Sequence, residues 1–62
     1  MEREDINNYF VDTDDGQIYK MIAYCDQPTV TMERIKDNRR IDFCVGSRIA
    51  KNFVKLVPER RN

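Results

Sequence analysis

The chain has 62 residues, 40% of them hydrophobic, and a net charge of zero, which is enough for one small domain. No run approaches the ~20 apolar residues of a membrane-spanning helix, and the charged start, residues 1–5, carries no apolar signal segment. We therefore expect a cytoplasmic protein without a membrane partner. The sequence has no histidine and one serine, so it lacks the commonest general base and any Ser-His pair. We predict that it is not an enzyme, with no catalytic residues and no cofactor.

The first two predicted strands form a hairpin. Tyr9 to Val11 is followed by the acidic turn Asp14-Asp15-Gly16, where Asp-Gly supplies the positive φ angles of a tight turn. The second strand, Gln17 to Cys25, has apolar side chains on both faces, which is typical of a strand that bends around a small barrel. Its alternation predicts an inner face formed by Tyr19, Met21, Ala23 and Cys25.

The third predicted strand, Thr29 to Ile35, alternates cleanly at its start. Val30 and Met32 fall on the inner face, whereas Ile35 falls on the polar one. A bulge near Glu33-Arg34 would return Ile35 to the core.

The fourth predicted strand, residues 41–45, is the most regular, and its inward side chains are Ile41, Phe43 and Val45. Ser47 is a good helix N-cap, so we predict one helical turn over Ser47 to Asn52 and a last strand from Phe53 to Val57. The alternative is a full C-terminal helix ending at Pro58. The expected core centres on Met21, Val30, Phe43 and Leu56.

Two patterns that suggest metal sites fail on spacing. Cys25 and Cys44 form no Cys-x-x-Cys pair, and we expect Cys25 in the core and Cys44 on the surface. The acidic run 12–15 resembles the start of a calcium loop, but the twelfth position of such a loop is Ala23 rather than a carboxylate. We therefore predict no metal site and interpret the run as an acidic hairpin tip.

The charges are unevenly distributed along the chain. Residues 1–15 hold six acidic side chains and one basic one, whereas residues 34–62 hold nine basic and three acidic ones. If the fold brings the later basic residues together, they form one positive face that binds phosphates, and exposed Tyr9 or Tyr24 could stack on bases. An ordinary solvated surface is the alternative. The candidate nucleic-acid-binding residues are Lys36, Arg39, Arg40, Arg48, Lys51 and Lys55.

The order of these elements resembles an SH3-like small β-barrel, the layout shared by SH3, Tudor and KOW modules. The resemblance covers roughly residues 9–58 and depends on layout, since the Ala-Leu-Tyr-type motif and the tryptophan of peptide-binding SH3 domains are absent. It implies an all-β fold: a single barrel of about five strands with one helical turn before the last strand. A Tudor-like aromatic cage would draw on Tyr9, Tyr19, Tyr24 and Phe43.

We predict one domain, residues 1–62, with flexible ends at 1–6 and 59–62. Its expected function is that of a small binding module that contacts DNA or RNA through the basic face. The alternative is a protein-interaction or self-associating accessory module of bacterial or phage type, which docks through its acidic hairpin (Asp12, Asp14 and Asp15) and its sheet edges. A subunit of a larger enzyme complex is the third possibility.

Overall fold

The computed structural model describes residues 1–56, which form five antiparallel strands curled into a half-barrel. The strands are β1 (Tyr9–Asp12), β2 (Ile18–Cys25), β3 (Thr29–Arg34), β4 (Arg40–Cys44) and β5 (Phe53–Leu56), in the sheet order β4-β3-β2-β1-β5. The predicted all-β fold of about five strands is confirmed. Val57, Pro58 and the predicted flexible end 59–62 lie outside the described residues.

Two short 3₁₀ turns, Arg3–Asp5 and Ile49–Asn52, are the helical elements of residues 1–56, and neither is long or apolar enough to cross a membrane. The second turn directly precedes β5, which confirms turn plus strand over the full C-terminal helix. Ser47 lies just before it: its Oγ donates to the Cys44 carbonyl (2.7 Å) and accepts from the Ala50 N–H (3.4 Å).

The β1–β2 hairpin closes through its own acidic side chains. The Asp12 carboxylate accepts the Asp14 N–H at 2.9 Å, and the Asp15 carboxylate accepts the Gln17 N–H at 2.8 Å. Gly16 has a φ of 74°, a left-handed conformation that glycine adopts without a steric penalty. The predicted turn at residues 14–16 is therefore confirmed, and its aspartates already accept hydrogen bonds within the turn.

A bulge in β2 changes which side chains face inward. Met21 pairs with Met32 and Ala23 pairs with Thr31, so Ile22 is an extra residue that reverses the alternation. Beyond it Tyr24 packs against the core and Cys25 is exposed. The prediction of an inward Ala23 and Cys25 is therefore wrong, because simple alternation does not survive one inserted residue.

The two exposed thiols lie near each other without being able to bond. Cys25 and Cys44 both pair with Thr29, from opposite sides of β3. Two strand spacings separate their Cα atoms by roughly 9–10 Å, which exceeds the range of a disulfide. The prediction of a surface Cys44 is confirmed.

The bulge that would return Ile35 to the core does not occur near Glu33-Arg34. β3 pairs with β4 in unbroken register from Thr29 opposite Cys44 to Glu33 opposite Arg40. Ile35 instead follows the end of β3 with its side chain 47% exposed, and its N–H donates to the Ile18 carbonyl at 3.0 Å. The sheet bends through β2, so β3 needs no bulge of its own.

The core lies inside the curl and consists of Phe10, Tyr19, Met21, Val30, Met32, Phe43 and Phe53. Phe53 joins the two ends of the sheet, since its ring meets the Tyr19 ring edge-on and stacks on Phe43, with both centroid distances 5.1 Å. Because Phe53 points inward, Leu56 falls on the opposite face and is 40% exposed. The prediction of Leu56 as a core residue is therefore wrong, whereas Met21, Val30 and Phe43 are confirmed.

The N-terminal residues are attached to this core. Residues 1–6, predicted as a flexible end, contain the first 3₁₀ turn, and Met1 and Ile6 pack against the buried cluster. The Asp5 carboxylate binds the Lys55 ammonium at 2.7 Å, which joins this segment to β5. That hydrogen bond lowers the pKa of Asp5.

Candidate docking surface and the charged residues

A row of aliphatic side chains crosses the outer face of the sheet. Val54 on β5 pairs with Val11 on β1, which pairs with Ile18 on β2. Ile35 extends the row, because its backbone is hydrogen-bonded to Ile18. Val54 is 51% exposed and Ile18 38%, so these side chains meet solvent rather than the core. The row therefore spans four adjacent chain segments of one surface.

A second row lies beside the first and changes from apolar to charged along its length. Leu56 on β5 pairs with Tyr9 on β1, and Tyr9 pairs with Lys20 on β2. The Lys20 ammonium lies 6.0 Å from the centre of the exposed Tyr9 ring. Together the two rows define the outer apolar patch: Tyr9, Val11, Ile18, Ile35, Val54 and Leu56.

The patch ends on the β4 side, where the outer face is charged. Lys20 pairs with Glu33 on β3, and the Glu33 carboxylate accepts from Arg40 on β4 at 3.1 Å. Next along β4, the Asp42 carboxylate accepts the Thr31 hydroxyl at 2.6 Å. The two edges of the sheet thus differ, because β5 presents aliphatic side chains outward and β4 presents charged and polar ones.

The six basic residues of the predicted nucleic-acid site occupy four different places. Arg40 is paired with Glu33 on the outer face, and Lys55 is paired with Asp5. The other four are exposed on two loops: Lys36 and Arg39 in the β3–β4 turn, and Arg48 and Lys51 in the segment from β4 to β5.

These two loops leave β4 at opposite ends. The β3–β4 turn enters β4 at Arg40, and the segment that carries Arg48 and Lys51 leaves it after Cys44. That segment packs against both β4 and β5 through its 3₁₀ turn. The positive charge is therefore divided along the edge of the sheet.

The acidic β1–β2 turn and the basic β3–β4 turn lie at the same end of the sheet. Arg34 forms a two-point ion pair with Asp37, at 2.9 and 2.7 Å. The buried Tyr19 places its hydroxyl 3.4 Å from Asp15 on the β1–β2 side, and burial raises the pKa of this phenol. Arg34 also lies close to Tyr19, so acidic and basic groups of both hairpins surround one tyrosine.

The Arg34–Asp37 pair predicts a specific loss of stability in acid. The hydrogen bonds from Arg34 lower the pKa of Asp37 to about 2 in the folded chain. The carboxyl of an unfolded aspartate has a pKa of about 3.9. The ion pair therefore stabilises the fold fully above that pH, and this stabilisation disappears as the pH falls through about 2. We expect the urea midpoint to fall between pH 5 and pH 2, and to fall less in Asp37→Asn.

The matched control for this prediction is Asp14→Asn, which removes one carboxylate from the same end of the sheet. This variant keeps the acid sensitivity of the parent chain, because the Arg34–Asp37 pair is intact. Added salt reduces the difference between Asp37→Asn and the parent, since the pair lies at the surface. Equal acid sensitivity in the parent and in Asp37→Asn would contradict the assignment.

Comparison of the chain with models of protein families, with curated proteins and with solved structures finds no match. Residues 1–56 contain neither a pocket nor a cluster of three metal-ligating side chains. The outer apolar patch is not predicted from the sequence, because Leu56 of β5 is expected in the core. The signal that could have found it is the alternation of β5, since an inward Phe53 requires an outward Val54 and Leu56.

Proposed function

We propose that this chain is a non-enzymatic binding module that docks proteins through its outer apolar patch. The observation that carries the proposal is the aliphatic row from Val54 to Ile35, four adjacent side chains on the solvent face of a domain of 62 residues. Single exposed apolar side chains are ordinary, whereas a contiguous set bordered by polar residues is typical of an interaction site. Protein docking buries such a set, and binding of phosphates does not.

The proposal includes an SH3-like barrel as the architecture. Two features support it: β1 pairs with both β2 and β5, and a 3₁₀ turn leads into the last strand. In superfolds of this kind the fold leaves the ligand open, so the ligand is argued from the surface. The cytoplasmic location remains a prediction from the sequence.

Nucleic-acid binding is the second candidate, and one observation favours it. Tyr9 is 44% exposed beside Lys20, which is the pairing of an aromatic ring and a cation that stacks on a base and contacts its phosphate. Lys36 and Arg39 add exposed positive charge in the β3–β4 turn. Against it stands the use of Arg40 and Lys55 in ion pairs.

The test compares one variant inside the patch with one outside it. Val54→Lys places a cation in the patch, and Lys36→Ala with Arg39→Ala removes two exposed cations from the β3–β4 turn. Each immobilised chain is exposed to a nuclease-treated extract of the source cells, and retained proteins are identified, purified and titrated back. We expect one protein, or the chain itself, to bind the parent and the double alanine variant and to lose about tenfold or more affinity for Val54→Lys.

Nucleic acid is tested in the same series with mixed-sequence DNA and RNA oligonucleotides at ~50 mM salt, where phosphate contacts are strong. Binding that weakens steeply with salt and is reduced by Lys36→Ala with Arg39→Ala would replace protein docking with the second candidate. Retention that is equal for the parent and Val54→Lys would overturn docking through the patch. Circular dichroism of each variant establishes that the fold is intact.

A further inference from the structure

The proposed docking function does not identify the partner. The edge strand β5 limits which kind of partner can bind. β5 is an end strand of the sheet within residues 1–56, so one side of its backbone has no strand beside it. Its outward side chains, Val54 and Leu56, belong to the outer apolar patch. An open edge with aliphatic side chains is a template for another strand. The other edge, β4, presents Arg40 and Asp42 outward, and charge of this kind discourages pairing.

We propose that the partner is a second copy of this chain, joined by antiparallel pairing of β5 with β5 of the other copy. A partner for this edge must itself present an extended strand with aliphatic side chains at alternate positions on one face. β5 has this property, so the edge is complementary to itself. The pairing would make one continuous sheet across the two copies.

Register and charge agree with this arrangement. In a two-fold pairing centred on Lys55, Val54 of one copy lies opposite Leu56 of the other, and the two apolar patches become one. Lys55 then lies opposite Lys55 of the other copy, where like charges would oppose pairing. Each Lys55 ammonium, however, binds its own Asp5 carboxylate at 2.7 Å, so the edge carries a neutralised pair rather than a free cation.

The size of the contact sets its strength. One short strand pair and the side chains beside it bury less than the roughly 1,600 Å² of a standard interface, so the dimer should be weak and dependent on concentration. We expect the average mass of the full 62-residue chain, measured by sedimentation equilibrium, to rise from monomer towards dimer with increasing concentration.

Substitutions at the two edges and along the row locate the contact. Val54→Lys places a charge at the paired edge and should weaken the dimer by about tenfold or more, and Leu56→Lys serves as a second variant at the same edge. Ile35→Lys changes the same aliphatic row, but β1 and β2 lie between this position and the edge strand β5. It should therefore leave dimerisation within about twofold of the parent. Asp42→Lys changes the opposite edge and should likewise have little effect.

A covalent test addresses the register directly. In a chain with Cys25→Ser and Cys44→Ser, the pair Val54→Cys and Leu56→Cys should form disulfides between two chains under mild oxidation. A monomer at every concentration overturns the inference, yet leaves the proposed function standing if Val54→Lys still loses a captured protein. Equal weakening by Ile35→Lys and Val54→Lys indicates face-to-face contact, and weakening by Asp42→Lys indicates pairing through β4. Either result overturns pairing through β5.

Discussion

Phe53→Ala should remove a large part of the stability of the chain. Phe53 is 8% exposed, and its ring contacts both Tyr19 and Phe43 at centroid distances of 5.1 Å. Truncation of a buried phenylalanine costs about 3–5 kcal/mol, whereas a domain of this length has a total stability of roughly 3–9 kcal/mol. The loss is large because Phe53 joins β5 to β2 and β4 in one aromatic cluster.

Leu56→Ala is the matched control, since it truncates another large apolar side chain of the same strand. Leu56 is 40% exposed on the outer face, so we expect a change of about 1 kcal/mol or less. The measurement is urea unfolding followed by circular dichroism, at a concentration low enough to keep the chain monomeric. A greater loss in Leu56→Ala than in Phe53→Ala would reverse the face assignment of β5.

Much of the fold could be predicted from the sequence because its signals are local. Asp-Gly marks the first hairpin, and the period-two alternation of β3 and β4 places Val30, Met32 and Phe43 inward. Each of these assignments depends on residues within one strand or one turn. The number of strands and the turn before β5 follow from the same local signals.

The wrong assignments of Cys25 and Leu56 share one physical cause. Which side chains of a strand point inward is determined by the segments that the strand pairs with and packs against. Cys25 was assigned inward because nothing within β2 reveals that Ile22 is an extra residue opposite β3. Leu56 was assigned inward because Val54 and Leu56 alternate as well as Phe53 and Lys55 do. Which face of β5 points inward depends on the contacts of Phe53 with Tyr19 and Phe43, and these two residues are distant from β5 in sequence.

The candidate site could be predicted only in part for the same reason. The sequence indicates which residues are basic, but their grouping depends on which carboxylates lie beside them. Glu33 on β3 lies beside Arg40 on β4, and Asp5 near the start of the chain binds Lys55 near its end. The outer apolar patch depends on which side chains of β5 point outward. It can therefore be recognised only when the pairing of β5 with β1 is known.

Met32→Ala should produce the second large loss, because it opens a void in the centre of the curl. Met32 and Met21 pair across β3 and β2, and both side chains are 0% exposed. A buried methionine truncated to alanine costs about 2–5 kcal/mol, whereas Met32→Leu, which nearly conserves volume, should cost less than about 1.5 kcal/mol. The control Thr29→Ala, on the outer face of the same strand, should stay within about 0.5 kcal/mol of the parent.

A double variant tests whether the two methionines fill one space. If Met21 and Met32 share a cavity, the loss in Met21→Ala with Met32→Ala differs from the sum of the two single losses by about 0.5–3 kcal/mol. Because each single variant already removes the contact between the two side chains, we expect the double loss to be smaller than the sum. Strict additivity would mean that the side chains pack in separate parts of the core.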